Sequence, residues 1–264
     1  MNQREIRPTL LTASDRGGRN HHRIFEMAAL LCAGFLLAVS ALRLADHFEA
    51  AWLGPILFAG ALAYFAADLV SGLVHWACDR FGSPNTPFLG ENFIAPFREH
   101  HREPEAITQK GFVEVNGNTA IALTPILILV HVSLPLGTGH SSPFGHIFMA
   151  SLCGWLIATN QFHKLAHQPP NTNSPLIRWL QRKQLILPQI HHGRHHRAPF
   201  DRHYCITNGR LDPWLEKLGV WIHLEAALTR LSHTRNEPAE NFRSPARRLE
   251  SDRHAASPAR PLDL

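Results

Sequence analysis

The sequence predicts an all-α integral membrane protein, with four transmembrane helices, a histidine-rich cytoplasmic cap and amphipathic helices lying in the interface. Three observations predict it. Four apolar runs are each about as long as the ~20 residues that a bilayer requires. Lys and Arg are confined to alternate connections between these runs. Once the chain is threaded accordingly, nine of its nineteen histidines fall on one membrane face.

Residues 1–23 carry five arginines with Pro8, Gly17 and Gly18, and are expected to form a solvated, disordered basic tail. No small-residue cleavage site separates this tail from the first apolar run, so a removed signal peptide is not expected. The predicted spans are Met27 to Leu44, Trp52 to Ala77, Ala120 to Gly137 and Phe144 to Phe162. Arg43 sits near enough to the end of the first to snorkel. The links Ala45–Ala51 and Thr138–Pro143 contain no Lys or Arg, whereas the N-tail, Cys78–Thr119 and everything after Phe162 contain many. The positive-inside rule therefore places both termini and the long middle segment in the cytoplasm. The Ala- and Arg-rich usage suggests a bacterial inner membrane.

Beyond the fourth span, Asn173 to Lys183 reads as a capped amphipathic helix, with Ser174 as cap and Pro175 in the first turn. A second begins at Asp212-Pro213-Trp214 and is expected to run unbroken to about Leu231. The domain thus spans 24–231, and 232–264, rich in Arg, Pro, Ser and Ala, reads as a disordered tail.

A formal charge of +5 permits a nucleic-acid partner, but the basic residues lack interleaved aromatics and border the apolar runs, which favours a membrane surface. The four cysteines form no C-x-x-C pair and read as packing residues.

The densest motif is His191-His192-Gly193-Arg194-His195-His196. In a helix, His192 and His196 share a face, and neutral imidazoles so placed ligate Fe, Zn, Cu or Ni. Alone, the tract reads equally well as an adventitious metal-binding tag. The threading alters that balance. His75, the pair His100-His101, and His163 with His167 reach the same face, and Asp79 lies one helical turn after His75.

Asp68 lies inside the second span on nearly the same side as His75. An intramembrane carboxylate costs about 2.5–3.5 kcal/mol, so it needs a role. Accepting the N–H of a metal-bound imidazole is one, and a helix–helix hydrogen bond is the other. Asn160 shares the His163/His167 side and reads as a weak ligand or as an interhelical contact. His131, His140 and His146 fall near the opposite face, and His203 breaks the spacing of the main tract, so none is assigned to metal. H-E-x-x-H and E-x-x-H motifs, phosphate-binding loops and dinucleotide fingerprints are all absent from the sequence. Reducing equivalents must therefore come from another protein. Imidazole-rich ligation beside a deep apolar interior suits iron that activates O₂ against a lipid chain. A metal transporter or sensor is the non-enzymatic alternative, although transport would place ligands near the bilayer midplane.

Several stretches, in order and spacing, resemble the Kua-type lipid desaturases, with particular similarity to the plasmanylethanolamine desaturases. They are Asp68-Leu-Val-Ser-Gly-Leu-Val-His-Trp76, Pro96-Phe-Arg-Glu-His-His101, Phe112-Val-Glu-Val-Asn-Gly117, Thr159-Asn-Gln-Phe-His-Lys164, Leu187-Pro-Gln-Ile-His-His-Gly-Arg-His-His196 and Tyr204-Cys-Ile-Thr207. The resemblance covers roughly Tyr64 to Glu225.

It implies a di-iron enzyme that uses O₂ and two electrons to form the vinyl-ether bond of a plasmalogen from an alkyl ether phospholipid. The electrons would come from a cytochrome b5-like or ferredoxin-like donor. It further implies that the ligands are His75, His100, His101, His163, His167, His192, His195 and His196, with Asp79 and His191 as further ligands or supporting groups. The second tract lacks the leading His of the acyl desaturases' H-x-x-H-H, and Asp79 stands where their first tract has its distal His. Desaturation or hydroxylation of another phospholipid acyl chain is the alternative reaction. Phosphate recognition is expected from the Arg and Lys of 178–183, or from Arg98 and Arg102.

Overall fold

The structure is a computed structural model that describes residues 13–87, 89–136, 143–169 and 171–233, with side chains described from 20 to 230. His140, His254 and the expected tail from 234 onward lie outside the described residues. Four long helices form the body: α1 (Ala13–Asp46), α2 (Leu53–Arg80), α5 (Phe112–Ser133) and α6 (Phe144–His167). The short helices are α3 (Ala95–Arg102), α4 (Ala106–Gln109), α7 (Pro175–Arg182), α8 (Gln189–His195), α9 (Asp212–Lys217) and α10 (Val220–His233), with a 3₁₀ turn at Ala50–Trp52 and a π-helical turn at Gly90–Ile94.

Among the described residues, three segments are long and apolar enough to cross a membrane: Asn20–Asp46, Ala50–Arg80 and Phe112–Ser133. Helix α6, which covers the fourth expected span, is not among these three, and several boundaries differ from expectation. Helix α1 continues back to Ala13, into the stretch read as a tail. Helix α5 runs Phe112–Ser133 rather than Ala120–Gly137, because Phe112 to Thr119 extends the apolar helix toward the cap.

The order of packing is α1 on α5, α5 on α6, and α6 on α2. Ala33 of α1, Leu127 of α5, and Ala150 with Cys153 of α6 form one buried cluster. Helix α2 approaches its neighbours through Ala59, Ala63 and Ala67, spaced four apart and fully buried. Small residues at that spacing let helix backbones come close where hydrophobic burial offers no drive. The large side chains point outward instead. Leu31, Phe35, Leu57, Phe58, Leu129 and Val132 are all exposed, as a lipid-facing surface requires. At the end away from the cap, Ser40 Oγ lies 3.1 Å from His131 Nε2 and 2.9 Å from His146 Nε2. This joins α1, α5 and α6 and accounts for two of the histidines left unassigned.

Helix α7 begins as expected, with the Ile177 N–H donating to Ser174 Oγ at 3.3 Å. The segment from Asp212, by contrast, is two helices, because Gly219 adopts φ +63° and breaks it between α9 and α10. A left-handed residue cannot continue a right-handed helix, and glycine meets that geometry without a Cβ clash. Arg98 is committed to the fold. Its guanidinium donates to the carbonyls of Cys78, Phe81 and Gly82 at 3.3, 3.1 and 2.9 Å, so it caps α2 and docks α3. It is therefore not a free phosphate ligand.

The loop between α8 and α9 turns inward. Tyr204, Cys205, Thr207 and Asn208 are fully buried. A Cβ at Gly72 would meet Cys205 Sγ at 2.7 Å and the Cys205 backbone nitrogen at 3.3 Å, so the loop lies against bare α2 backbone. Replacing Gly72 by Ala should destabilise the protein by about 1–3 kcal/mol through overpacking. A lowered thermal unfolding midpoint in detergent would register the effect.

Candidate metal centre

The nine residues that gather here come from the cap ends of four helices. His75 and Asp79 are one turn apart at the cap end of α2. His100 and His101 occupy the last turn of α3, and His163 and His167 the last turns of α6. His192 and His195 lie on α8, with His196 as its C-cap. They gather into two compact groups. One is His100, His163, His167, His192 and His196; the other is His75, Asp79, His101 and His195. In each group the potential ligand atoms lie within 4.8 Å of one another.

The close approaches are those of ligands around an ion. His192 Nε2 is 2.8 Å from His163 Nε2 and 3.0 Å from His196 Nε2. In the other group, His101 Nε2 is 3.2 Å from His195 Nε2 and 3.0 Å from Asp79 Oδ2. Nitrogens bound at ~2.1 Å and at right angles on one metal are ~3 Å apart. Among the described residues, several buried polar atoms here also lack a hydrogen-bond partner: His75 Nε2, His100 Nε2, His167 Nε2 and Asp79 Oδ1. Uncompensated buried polar atoms are costly, and a cation in each group would satisfy them together. The donor set therefore fits two metal ions.

Tautomers support the same reading. His75 Nδ1 is 3.0 Å from the Tyr204 carbonyl oxygen, and His195 Nδ1 is 2.7 Å from that of Arg202. A carbonyl only accepts, so Nδ1 carries the proton in both rings and Nε2 presents its lone pair inward. In the cap, burial and the neighbouring imidazoles push His192 well below the ordinary histidine range. Burial, then His167 and His196, do the same for His100. His196 is lowered to about 2, again by burial first and then by His167 and His195. These rings are neutral, as ligands must be.

Three of the expected residues lie away from the two groups. Asp68 touches no imidazole. Its Oδ1 accepts the backbone N–H groups of Asn208 and Gly209 at 2.8 and 2.9 Å, and its Oδ2 accepts that of Leu211 at 3.2 Å. It reaches His75 only through the loop whose Tyr204 carbonyl orients that ring. Asn160 is an interhelical contact, donating to Thr119 Oγ1 at 3.0 Å, because its amide faces α5 rather than the rings. His191 lies outside both groups. Its Nε2 pairs with Asp212 Oδ2 at 2.7 Å, and its ring stacks on His203 at 4.6 Å.

His203, left out by spacing, belongs to this third assembly, where Glu216 takes both its ring and its backbone N–H. Asp212 also accepts the Cys205 N–H at 3.1 Å, so the assembly buttresses the inward loop. The carbonyls of Tyr204 and Arg202 are backbone groups that no side-chain motif could disclose. The Tyr204-Cys-Ile-Thr207 stretch was the available signal.

A cavity of about 750 Å³ opens beside the centre, lined by His100 and His163 and, farther along α5 and α6, by Leu123 and Leu156. Ligand pockets commonly have volumes of this order.

Residues 64–240 match the lipid desaturase domain family. The chain belongs to that family. It is 41% identical over 216 residues to a plasmanylethanolamine desaturase of Myxococcus xanthus, covering 79% of this chain and 71% of the relative. It is 39% identical over 180 residues to plasmanylethanolamine desaturase 1 of Mus musculus, covering 65% of this chain and 64% of the relative. A chloroplastic fatty acid desaturase 4-like protein of Arabidopsis thaliana is 33% identical over 177 residues, or 67% of this chain and 57% of the relative. No solved structure matches. As a lipid desaturase, the chain is an oxidoreductase, and its apolar helices carry histidine-rich groups that could hold metal ions.

Replacing Asp68 with Ala would leave three buried backbone N–H groups without an acceptor, at a cost on the order of 3 kcal/mol or more. The variant should melt at lower temperature and lose bound metal, measured by thermal unfolding and elemental analysis. Full metal content with unchanged melting would show that the loop does not need this anchor.

Proposed function

We propose that this lipid desaturase is a di-iron, O₂-dependent enzyme that forms the vinyl-ether bond of plasmalogens in alkyl ether phospholipids. The observation that carries the reading is a five-imidazole group beside a three-imidazole, one-carboxylate group, with His100 and His163 facing an apolar-lined cavity. The names of the Myxococcus and mouse relatives favour the ether substrate over an acyl chain. His75, Asp79, His101 and His195 would hold one iron, and the five imidazoles of the other group its partner. Bound there in reduced form, the pair supplies the O₂ activation needed to break unactivated C–H bonds.

The reaction balances simply. Two hydrogens leave adjacent carbons next to the ether oxygen, two electrons and two protons come from outside, and O₂ leaves as two waters. The residues of the chain hold the substrate and exclude water. Leu123 and Leu156 seat the hydrocarbon, and the buried cap keeps bulk solvent from the reacting carbons. A small displacement of those carbons would cost much of the rate. Electrons come from a separate donor protein of the cytochrome b5 or ferredoxin kind. Helix α6 is taken as a fourth span, with both termini cytoplasmic in a bacterial inner membrane. That topology leaves the cap on the side where such donors are found.

Lipid profiling of cells with and without the protein tests the activity. Ether lipids that release fatty aldehyde in acid should appear with the native chain and vanish with His192→Ala. Hydroxylated lipid in their place would identify a hydroxylase instead. Elemental analysis of purified Asp79→Ala should show iron falling from two per chain toward one, since only the four-ligand group loses a member. Unchanged iron content would remove Asp79 from the centre.

A further inference from the structure

The mouth of the cavity carries an arrangement of charge that the metal centre does not use. Its ionisable lining includes Arg23, Lys110, Glu26, Glu99, Glu103 and Glu114. This is an acidic excess in a chain whose Lys and Arg outnumber its Asp and Glu, 26 to 21. The two cations share one partner. Glu114 lies 3.6 Å from Arg23 and 4.0 Å from Lys110, and all three side chains are nearly half exposed. Such long, solvated pairs are weak and leave the cations available to a phosphate.

Glu26 is different. Its side chain is only 6% exposed, yet its one ion-pair partner among the described residues is His22, at 3.6 Å. His22 Nε2 is closer to Asn118 Oδ1, at 2.9 Å. The carboxylate is housed by design of the backbone. A Cβ on Gly117 would meet Glu26 Cβ at 2.5 Å and Cδ at 2.9 Å, so only glycine on α5 lets this side chain lie flat between the helices. A buried carboxylate at the end of an apolar helix is expensive, and it faces a cavity instead of an internal cation.

We infer that Glu26 is the counter-ion for the ammonium of a zwitterionic phospholipid headgroup, with Arg23 and Lys110 receiving its phosphate. The inference rests on the lipid desaturase reading above and assigns substrate selection to α1. A primary ammonium suits the site better than a quaternary one. It can donate hydrogen bonds to a carboxylate, whereas quaternary ammonium is held by aromatic cages. Among the described residues, the Phe, Tyr and Trp side chains lining this cavity are Phe93 and Phe97. An anionic headgroup without an amine would meet the acidic surplus unpaired. The location also suits the chemistry, because the bond formed lies next to the glycerol. Headgroup and reacting carbons must then share one cavity, as Glu26 and His163 do.

Native mass spectrometry of the full-length protein with diacyl lipids of matched chains tests the assignment without turnover. The native chain should retain phosphatidylethanolamine about fivefold more than phosphatidylcholine or phosphatidylglycerol. Glu26→Gln should abolish that preference, and Glu26→Asp should keep part of it. Arg23→Gln should weaken retention of all three lipids alike. Equal retention by the native chain, or an undiminished preference in Glu26→Gln, would overturn the inference. A native chain that prefers ethanolamine lipid but makes no vinyl ether would instead overturn the proposed reaction and leave the headgroup site standing.

Discussion

The structure turns on one carboxylate that never touches the rings it serves. Asp68, fully buried, accepts three backbone N–H groups, from Asn208, Gly209 and Leu211. That clamp holds an irregular loop against α2 at the depth of the cap. Irregular backbone at such a depth is tolerated only where protein satisfies its polar groups. Ser71 contributes further, since its Oγ accepts the Ile206 N–H at 3.1 Å. With the loop fixed, two of its carbonyls fix the tautomers of His75 and His195. A membrane carboxylate, a buried loop and two ring orientations are thus one connected device.

The same economy appears in how the centre avoids protonation. Eight imidazoles packed this closely would repel one another if charged, and burial in the cap already disfavours the charged form. His75 and His195 each donate a proton to a backbone carbonyl, which turns their other nitrogens toward the neighbouring ligands. Order of this kind would be unstable empty and stable when filled. It couples the folding of the cap to metal uptake. The third assembly, His191, His203, Asp212 and Glu216, is of another kind. Its groups pair with one another and brace the loop, and His191, His203 and Asp212 also lie close enough together to hold an ion.

Outside the centre, the body of the protein follows the rules for helices in lipid. Small residues face inward, large apolar ones outward, and interhelical polar contacts such as Thr124 Oγ1 to the Ala29 carbonyl at 3.2 Å are few and specific. The cavity lies where α1, α5 and α6 diverge from the cap. A single chain therefore offers charged groups at one level, histidines beside them and hydrocarbon beyond, in the order in which a phospholipid presents its own parts.

Periodicity and composition by themselves indicated three of the apolar helices, brought nine histidines, His191 among them, toward one end of the bundle, and set Asp79 one turn after His75; the family resemblance singled out the other eight histidines as ligands. The helices, the gathering and the place of Asp79 rested on local spacing or on the asymmetry of Lys and Arg, which are written along the chain. Tertiary structure alone decided what Asp68 binds, that Asn160 bridges helices, that His191 leaves the cluster for Asp212, and that Gly219 breaks the last amphipathic segment. It alone brought Glu26 to the cavity mouth across from Gly117. These outcomes depend on backbone acceptors, on close approaches between distant segments and on a single left-handed dihedral. None of them has a period, and a hydrogen bond to a carbonyl 129 residues away, as from His75 to Tyr204, leaves no mark in the side chains that make it.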